Sequence, residues 1–298
     1  MDVFTDHIFG GNPLAVFPSG VALATDQMQA VAGELNLSET VFVFPPDHPG
    51  HTRKLRIFTP RTELPFAGHP TVGTAHLLAE IGEIPLEGTE TRIVFEEGVG
   101  PVPVTIHASE EHPVSAEFSA AQMPEQGPAS PPIGEIAEVL SLEAHDIVSD
   151  PPPAALSCGV PFLFVMIASL DALAQAHISR EAWERVLADY WAPQIYILTP
   201  SADRKSNSYR ARMFAPALGI DEDPATGSAA TALAGYLAPL EPGGTGTVHW
   251  SVAQGVEMGR PSRIDIEAEL SGNVVSAIRI SGNSVLVTHG EFEIPKIA

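Results

Sequence analysis

The sequence predicts an α+β fold with two pseudo-symmetric halves, each a curved, barrel-like mixed sheet around one central helix. Short strand-like segments recur along the whole chain. Two stretches, one from Pro70 and one from Pro224, instead read as helices that carry no charged side chain when histidine is neutral. A helix that is small or apolar on every side favours burial on every side. One such helix in each half, among many short strands, gives the predicted architecture.

The two predicted central helices begin with the same pattern. Four pairs of identical or similar residues recur at one constant offset: Pro70 and Pro224, Gly73 and Gly227, Thr74 and Ser228, Ala75 and Ala229. Proline suits the first helical position because its missing N–H would be unpaired there. A polar residue precedes each proline, His69 in the first copy and Asp223 in the second.

This repeat leaves two interpretations open. Helix N-termini present unpaired N–H groups and the positive end of the helix dipole. One interpretation is therefore a duplicated fold with a single anion-favouring site between the copies. The other is architecture alone, with two ordinary core helices that have glycine in their first turns.

In the first half, strands are predicted where apolar or alternating segments are bounded by turn residues. These segments are residues 2–5, 14–17, 40–44, 53–58, 92–95 and 102–106. Thr25 is a suitable N-cap for a helix that continues to about Leu35. Glu39 then lies at the junction of a loop and a strand, where a carboxylate is usually solvated.

In the second half, residues 124–132 are rich in Gly, Pro and polar residues and are predicted to link domains 1–123 and 133–298. Helices are predicted at 133–140, 170–176 and 180–190, and strands at 160–168, 194–198 and 208–214. The central helix is predicted to continue to about Leu240. The tail is predicted as strands 263–267, 274–280 and 285–287, separated by Ser-Gly-Asn turns at 271–273 and 281–283. The last strand belongs either to this half or, by returning, to the N-terminal half.

The chain is strongly acidic, with 37 acidic residues against 15 basic residues and a formal net charge of -22 over 298 residues. This charge disfavours nucleic acid and anionic membrane surfaces as partners, because both are negatively charged. An anionic small molecule stays compatible with it, since a helix N-terminus acts locally. The uncharged stretch 151–170 contains prolines and a glycine that break a helix, so no membrane partner is predicted.

Cys158 is the only cysteine, which excludes an intramolecular disulfide and a cysteine-rich zinc site. The first residues lack the basic and apolar regions of a signal peptide, so the cytoplasm is the predicted location. No cofactor and no metal are predicted, because the sequence has no P-loop, Rossmann fingerprint or Cys/His cluster. The consecutive Asp221, Glu222 and Asp223 are interpreted as a solvated acidic turn, since no histidine is spaced to join them as a ligand.

The remaining motifs carry a resemblance to a known family. They are Phe4-Thr5, the run from Phe9 to Val16, Asn36-Leu37-Ser38-Glu39-Thr40, Phe58-Thr59-Pro60, Glu63 to Gly73, Arg212 to Pro216, Glu222 to Ala230, and Gly255 to Ser262. Together they resemble the PhzF-like family of phenazine-biosynthesis-type isomerases, in the wider diaminopimelate epimerase-like superfamily. The motifs span nearly the whole chain and are more specific for the family than for a substrate.

The resemblance implies a fold of two similar halves with the site in the cleft between them, and it implies residue roles. Glu39 matches the family's acid/base residue, and His69 and Asp223 match its partners. The implied substrate-binding residues are Ser38, Gly68, Pro224, Ala225, Gly227 and Ser228. Epimerases of the superfamily carry a cysteine at each helix N-terminus, where this chain has His69 and Asp223, so two-thiol racemisation is not expected.

The predicted function is a cofactor-independent isomerase that moves a proton between carbons of a small carboxylate-bearing substrate by general acid–base catalysis. Glu39 would carry the proton, and the two helix N-termini would hold the substrate carboxylate and stabilise developing negative charge. Two alternatives stay open: a non-catalytic small-molecule binding protein on the same scaffold, and a lyase or hydratase. A homodimer is expected from the resemblance and from the mean hydropathy of +0.11.

Overall fold

The computed structural model describes residues 1–20, 23–110, 112–201 and 207–294. The chain divides into two compact units, one made of residues 1–119 with the C-terminal segment from Ser281, the other of Ala120–Ile280. Both units contain strands and helices, which confirms the α+β class. The predicted linker 124–132 differs from this division. It belongs to the second unit, because Glu125–Gln126 form a strand that pairs with residues 156 and 157.

The first unit is a mixed sheet. Its strands are β1 (Asp2–Val3), β2 (Asn12–Phe17), β3 (Glu39–Phe44), β4 (Arg53–Phe58), β5 (Glu63–Leu64), β6 (Glu90–Glu97), β7 (Gly100–Ser109) and β8 (His112–Ser119). β2 runs parallel to β3, and β4 runs parallel to β6. The pairs β1–β2, β3–β4, β4–β5, β6–β7 and β7–β8 are antiparallel.

The described residues of this unit also form two helices, α1 (Thr25–Leu35) and α2 (Gly68–Glu80). Every residue of α2 from Gly68 to Ala79 is buried, and the helix packs against β1, β2, β3, β7 and β8. The sheet therefore surrounds α2, as its uncharged sequence predicts. α1 instead has one apolar face, and its Met28, Val31 and Ala32 pack against Phe42 and Phe58 of the sheet.

The second unit repeats this plan with more helices. Its strands are β9 (Glu125–Gln126), β10 (Ala154–Ser157), β11 (Pro161–Met166), β12 (Gln194–Pro200), β13 (Ser208–Ala215), β14 (Ile220–Asp223), β15 (Gly246–Gln254), β16 (Ser262–Ser271) and the first part of β17 (Val274–Val285). β11–β12 and β13–β15 are parallel, whereas β9–β10, β10–β11, β12–β13, β13–β14 and β15–β16 are antiparallel.

The helices of the second unit are α3 (Ile133–Leu140), α4 (Leu170–Gln175), α5 (Arg180–Val186) and α6 (Gly227–Leu237). α6 packs against β10, β11 and β16, and all but two of its residues are buried. The other three helices share an apolar core with β11 and β12. Each unit thus has a sheet around one central helix, which confirms the predicted architecture. Among the described residues, no helix combines the length and the apolar character needed to cross a membrane.

Three local predictions are wrong. Residues 281–283 form part of β17 rather than a turn, because the Asn283 carbonyl accepts the N–H groups of Phe4 and Thr5 at 2.8 and 3.2 Å. The central helix α6 ends at Leu237, and Ala238–Leu240 continue as a 3-10 helix, since Pro239 has no N–H for an α-helical bond. The helix that begins at Arg180 ends at Val186 rather than at residue 190.

Candidate active site

Glu39 is the first residue of β3, after the short connection that follows helix α1. Asn36 ends α1 in the left-handed conformation, with a φ of 50°, and so turns the chain toward the strand. β3 then pairs in parallel with β2, with Glu39 opposite Leu14. The Glu39 side chain is only 13% exposed, so it is not the solvated carboxylate that its local sequence favours.

His69 is the second residue of the buried helix α2, and its side chain is 6% exposed. Its Nε2 lies 3.3 Å from Oε2 of Glu39. Two of the three predicted catalytic residues therefore lie next to each other within one unit. They are 30 positions apart in the chain and belong to different elements, β3 and α2.

The imidazole of His69 is held in its neutral form. Burial lowers the pKa of His69 to about 3, and a hydrogen bond with the backbone of Pro13 opposes this only in part. Proline has no N–H, so its carbonyl oxygen must be the acceptor and the histidine nitrogen must be the donor. A neutral imidazole carries one N–H. Because Nε2 has no hydrogen-bond partner among the described residues, that N–H is assigned to Nδ1, and the Nε2 that faces Glu39 then presents its lone pair.

Asp223 lies in the second unit, at the end of β14 and directly before the turn into α6. The residue is buried, and its Oδ2 accepts the hydroxyl hydrogen of Thr226 at 2.5 Å. The fully buried Gln254 donates through Nε2 to the Asp223 carbonyl at 2.7 Å and to Oγ1 of Thr226 at 2.9 Å. A closed hydrogen-bond network thus fixes the chain around Asp223.

A family model described as phenazine biosynthesis-like protein matches residues 1–290. The chain belongs to this PhzF-like family. An uncharacterized isomerase of Mesorhizobium japonicum is 39% identical over 294 residues, which cover 97% of this chain and 96% of that protein. A trans-2,3-dihydro-3-hydroxyanthranilate isomerase of Pseudomonas aeruginosa is 36% identical over 290 residues, with 97% and 96% covered.

A solved structure agrees with these relatives. The crystal structure of a Bacillus anthracis phenazine biosynthesis protein of the PhzF family superimposes with a TM-score of 0.87, at 25% identity, over 98% of this chain and 97% of that chain. The predicted family is confirmed, and so is the predicted fold. At the level of reaction class, the prediction of an isomerase is confirmed as well.

The N-termini of both central helices in this PhzF-like chain lack a side-chain cap. Ala67 precedes α2 in an extended conformation and offers no capping oxygen. Thr226 precedes α6, but its hydroxyl bonds to Asp223 instead of to a helix N–H. The N–H groups of the first turn of a helix have no acceptor inside the helix. Where no side chain caps them, they favour the binding of an anion.

Five of the six predicted substrate-binding residues lie at or just before these N-termini, and Ser38 lies directly before β3. Ser38 is half-buried and precedes Glu39, and Gly68 is the buried first residue of α2. In the second unit, Pro224, Ala225 and Gly227 are buried and Ser228 is partly exposed. All six therefore flank Glu39, His69 or Asp223 along the chain.

The motif from Gly255 to Ser262 supports Pro224. The Ser262 hydroxyl donates to the Pro224 carbonyl at 2.7 Å, with the Gln254 carbonyl 2.9 Å away. Gly255 has a φ of 72°, and a Cβ there would lie 2.6 Å from the Pro224 carbonyl oxygen. Only glycine suits both the conformation and this close approach.

Sequence reasoning missed the residues that hold Asp223 in place. Gln254, Thr226 and Tyr196 form one buried network, in which the Tyr196 hydroxyl donates to Gln254 Oε1 at 3.1 Å. Burial and the charge of Asp223 raise the pKa of Tyr196, so this hydroxyl stays a donor. Thr226 stands inside the quoted motif around Asp223, and Gln254 directly precedes the quoted Gly255 motif. Adjacency to those motifs was the only available signal.

The interpretation of residues 221–223 as a solvated acidic turn is wrong for two of the three. Asp221 is exposed, but Glu222 forms a two-point ion pair with the buried Arg212, at 2.8 Å for each bond, and Asp223 is buried. Arg212 also donates to the carbonyls of Leu173 and Ala176 at the end of α4. Within the described parts of the chain, no cluster of three His, Cys, Asp or Glu residues has the geometry to hold a metal ion.

Cys158 has the character of a structural thiol. Burial raises its pKa to about 12, so the reactive thiolate is scarce at neutral pH. The residue lies between β10 and β11, outside both helix N-termini.

Proposed function

We propose that this PhzF-like protein is a cofactor-independent isomerase that moves a proton between two carbons of a small carboxylate-bearing substrate. Glu39 is the acid/base residue, and His69 and Asp223 are its partners. The observation that supports this most strongly is the approach of Glu39 Oε2 to Nε2 of a neutral His69, at 3.3 Å in a buried setting.

The pair suits a residue that must accept a proton and give it back. As a carboxylate, Glu39 removes a proton from one carbon, and the C–H electron pair moves into the adjacent unsaturated system of the substrate. The resulting carboxylic acid has an acceptor at hand in the lone pair of His69 Nε2. After its acid proton has exchanged with solvent, Glu39 protonates a second carbon, which restores the carboxylate and needs no redox partner.

Negative charge develops on the substrate during this transfer, and uncapped helix N-termini are suited to stabilise it. We assign Gly68 at the start of α2, and Pro224, Ala225, Gly227 and Ser228 at the start of α6, to recognition of the substrate carboxylate. Ser38 is assigned to the substrate contact beside Glu39. The support for Asp223 is its equivalent place before the second central helix and the network that fixes it.

The relatives and the proposed chemistry support one class of substrate. The Pseudomonas aeruginosa relative is a trans-2,3-dihydro-3-hydroxyanthranilate isomerase by name. We infer that the substrate of this chain is also an unsaturated cyclic carboxylate. The compound named for the Pseudomonas aeruginosa relative is therefore the first probe to use.

The test is to incubate the purified protein with trans-2,3-dihydro-3-hydroxyanthranilate in deuterated water and to follow it by mass spectrometry and NMR. The expected product is an isomer of the substrate in which deuterium has replaced hydrogen on carbon and no other atom has been gained or lost. Prior dialysis against a chelator should leave the rate unchanged. Binding without exchange would instead identify a binding protein, and loss or gain of water would identify a lyase or hydratase.

A further inference from the structure

The turn between β6 and β7 contacts the residues that lead into α2. Glu97 ends β6, and its Oε1 lies 2.7 Å from Oγ1 of Thr71 in the first turn of α2. The same Thr71 oxygen lies 2.8 Å from the carbonyl oxygen of Ala67, the residue that directly precedes α2. All three residues are buried.

The hydroxyl group of Thr71 has too few hydrogens to donate to both of its neighbours. A threonine hydroxyl has a single hydrogen, and a carbonyl oxygen can only accept. If that hydrogen goes to Ala67, the contact with Glu97 is a hydrogen bond only when Glu97 is a carboxylic acid that donates its own proton to Thr71. If Glu97 is ionised, it takes the Thr71 hydrogen and the Ala67 carbonyl loses it.

Burial favours the neutral carboxylic acid over the ionised carboxylate. A carboxylate that is 8% exposed has lost most of its hydration, and burial accordingly raises the pKa of Glu97 to about 8, with the Thr71 hydrogen bond opposing this. Of its two carboxyl oxygens, Oε2 has no hydrogen-bond partner among the described residues. With Glu97 protonated, the chain of donors would run from Glu97 to Thr71 and from Thr71 to Ala67.

The rest of the turn holds Pro65, two residues before Ala67. The N–H of Val99 donates to the Pro65 carbonyl at 3.1 Å. Gly98 packs so closely that a Cβ on it would lie 2.7 Å from Cα of Pro65. The turn thus contacts Pro65 through Gly98 and Val99, and the first turn of α2 through the bond between Glu97 and Thr71.

We propose that the turn Glu97-Gly98-Val99 positions His69, and that Glu97 does this as a neutral acid that completes the hydrogen-bond chain through Thr71 to the Ala67 carbonyl. Glu97 is in this account a positioning residue, because it acts on the chain just before His69 and not on the substrate. The inference rests on the proposed function only in giving His69 its importance.

The neighbouring elements carry further titratable groups. On β6, the pKa of Glu96 is lowered to about 2, mainly by the Asp47 backbone N–H. On β4, Lys54 pairs with Asp47 and Arg53 with Glu83. On α2, burial lowers the pKa of His69 and of His76, and Glu80 is exposed at the far end. On β7 and β8, His107 lies opposite Glu90, and Glu117 lies opposite Thr105.

The first experiment compares the parent with Glu97→Gln, because glutamine keeps the shape and the donor but cannot ionise. Glu90→Gln, at the exposed other end of the same strand, is the matched control. With glutamate labelled at its carboxyl carbon, NMR should show one carboxyl that titrates near pH 8 in the parent and in Glu90→Gln but not in Glu97→Gln. A parent in which every carboxyl titrates below pH 6 would overturn the proposal.

The second measurement reads out the position of His69 without a substrate. Amide hydrogen exchange at Gly68 and His69, corrected for the intrinsic pH dependence, should accelerate about three- to tenfold above pH 8 in the parent, the equivalent of one weak hydrogen bond. Glu97→Gln should show no such step. Equal profiles in the two proteins would contradict a positioning role.

A third pair of variants separates positioning from simple packing. Thr71→Val should show the fast exchange at every pH, and Thr71→Ser should restore the parent profile because it keeps the hydroxyl. If Thr71→Ser exchanges as fast as Thr71→Val, the hydroxyl chain is not what holds the helix start. None of these measurements uses a substrate, so they can fail or succeed independently of the proposed isomerase activity.

Discussion

At the residue scale, the neutral state of His69 makes stability depend on pH. The pKa of His69 falls from an ordinary 6.5 to about 3 on folding, with burial as the main cause. Between these values the unfolded chain binds a proton that the folded protein does not, so acid favours unfolding. The stabilising effect is complete above pH 6.5 and is lost as the pH falls toward 3.

The corresponding prediction compares the parent with His69→Gln. The difference in free energy of unfolding should change by about 1.4 kcal/mol for each pH unit between pH 6 and pH 4. It should be constant above pH 7. Urea unfolding at a series of pH values measures this difference. Parallel curves for the two proteins across pH 4–7 would show that the imidazole is protonated in the folded state.

At the element scale, the start of α6 depends on a few buried hydrogen bonds. Gln254 supplies donors to the Asp223 carbonyl and to Thr226, and it accepts from Tyr196. We predict that Gln254→Leu loses about 2–4 kcal/mol of unfolding free energy, because several buried polar groups lose their partner at once. Gln29→Leu should lose less than 1 kcal/mol, since Gln29 makes one bond to the Thr59 carbonyl and is partly exposed. Equal losses would mean that the network does not stabilise this element.

The burial of Glu97 gives a second prediction at this scale. Its pKa rises from 4.5 to about 8 on folding, so between these values the folded protein holds a proton that the unfolded chain releases. Stability is therefore lost as the pH rises from about 4.5 to 8. Glu97→Gln should remove this slope, which amounts to about 1.4 kcal/mol for each pH unit. Denaturant unfolding of both proteins at pH 5, 6, 7 and 8 checks it, and an unchanged slope in the variant would contradict it.

At the scale of the whole molecule, the assembly state is a prediction. Large apolar side chains remain exposed in the single chain, among them Phe9 at 68%, Val274 at 67% and Ile8 at 53%. We expect a homodimer that covers part of this surface. Sedimentation equilibrium at micromolar concentration should give twice the chain mass of 31.5 kDa. A single species at 31.5 kDa would contradict the dimer. The cytoplasmic location likewise stays a prediction.

The architecture was predictable because its signal is local. Both central helices lack charge over their length, and burial on all sides is the direct consequence. The strand through 281–283 was not predictable, because its partners Phe4 and Thr5 are at the other end of the chain. Composition alone favours a turn there, and long-range pairing overrides it.

The candidate site was predictable only through the family motifs. Nothing local distinguishes Glu39 from a solvated carboxylate, because its burial comes from the pairing of β2 with β3 and from His69 on a distant helix. Gln254 lies 31 positions from Asp223 and carries no local signal of its contact. The proposed role of Glu97 could not be predicted from the sequence either, since its neutral state depends on burial against Thr71.

The variant Glu39→Gln measures whether Glu39 carries the proton. Glutamine keeps the size of the side chain but cannot accept and return a proton. Glu34→Gln, on the exposed face of α1, is the matched control. With trans-2,3-dihydro-3-hydroxyanthranilate in deuterated water, deuterium incorporation by Glu39→Gln should fall on the order of 10²–10⁴-fold, while unfolding and substrate binding stay close to the parent. Incorporation as fast as that of the parent and of Glu34→Gln would contradict the account.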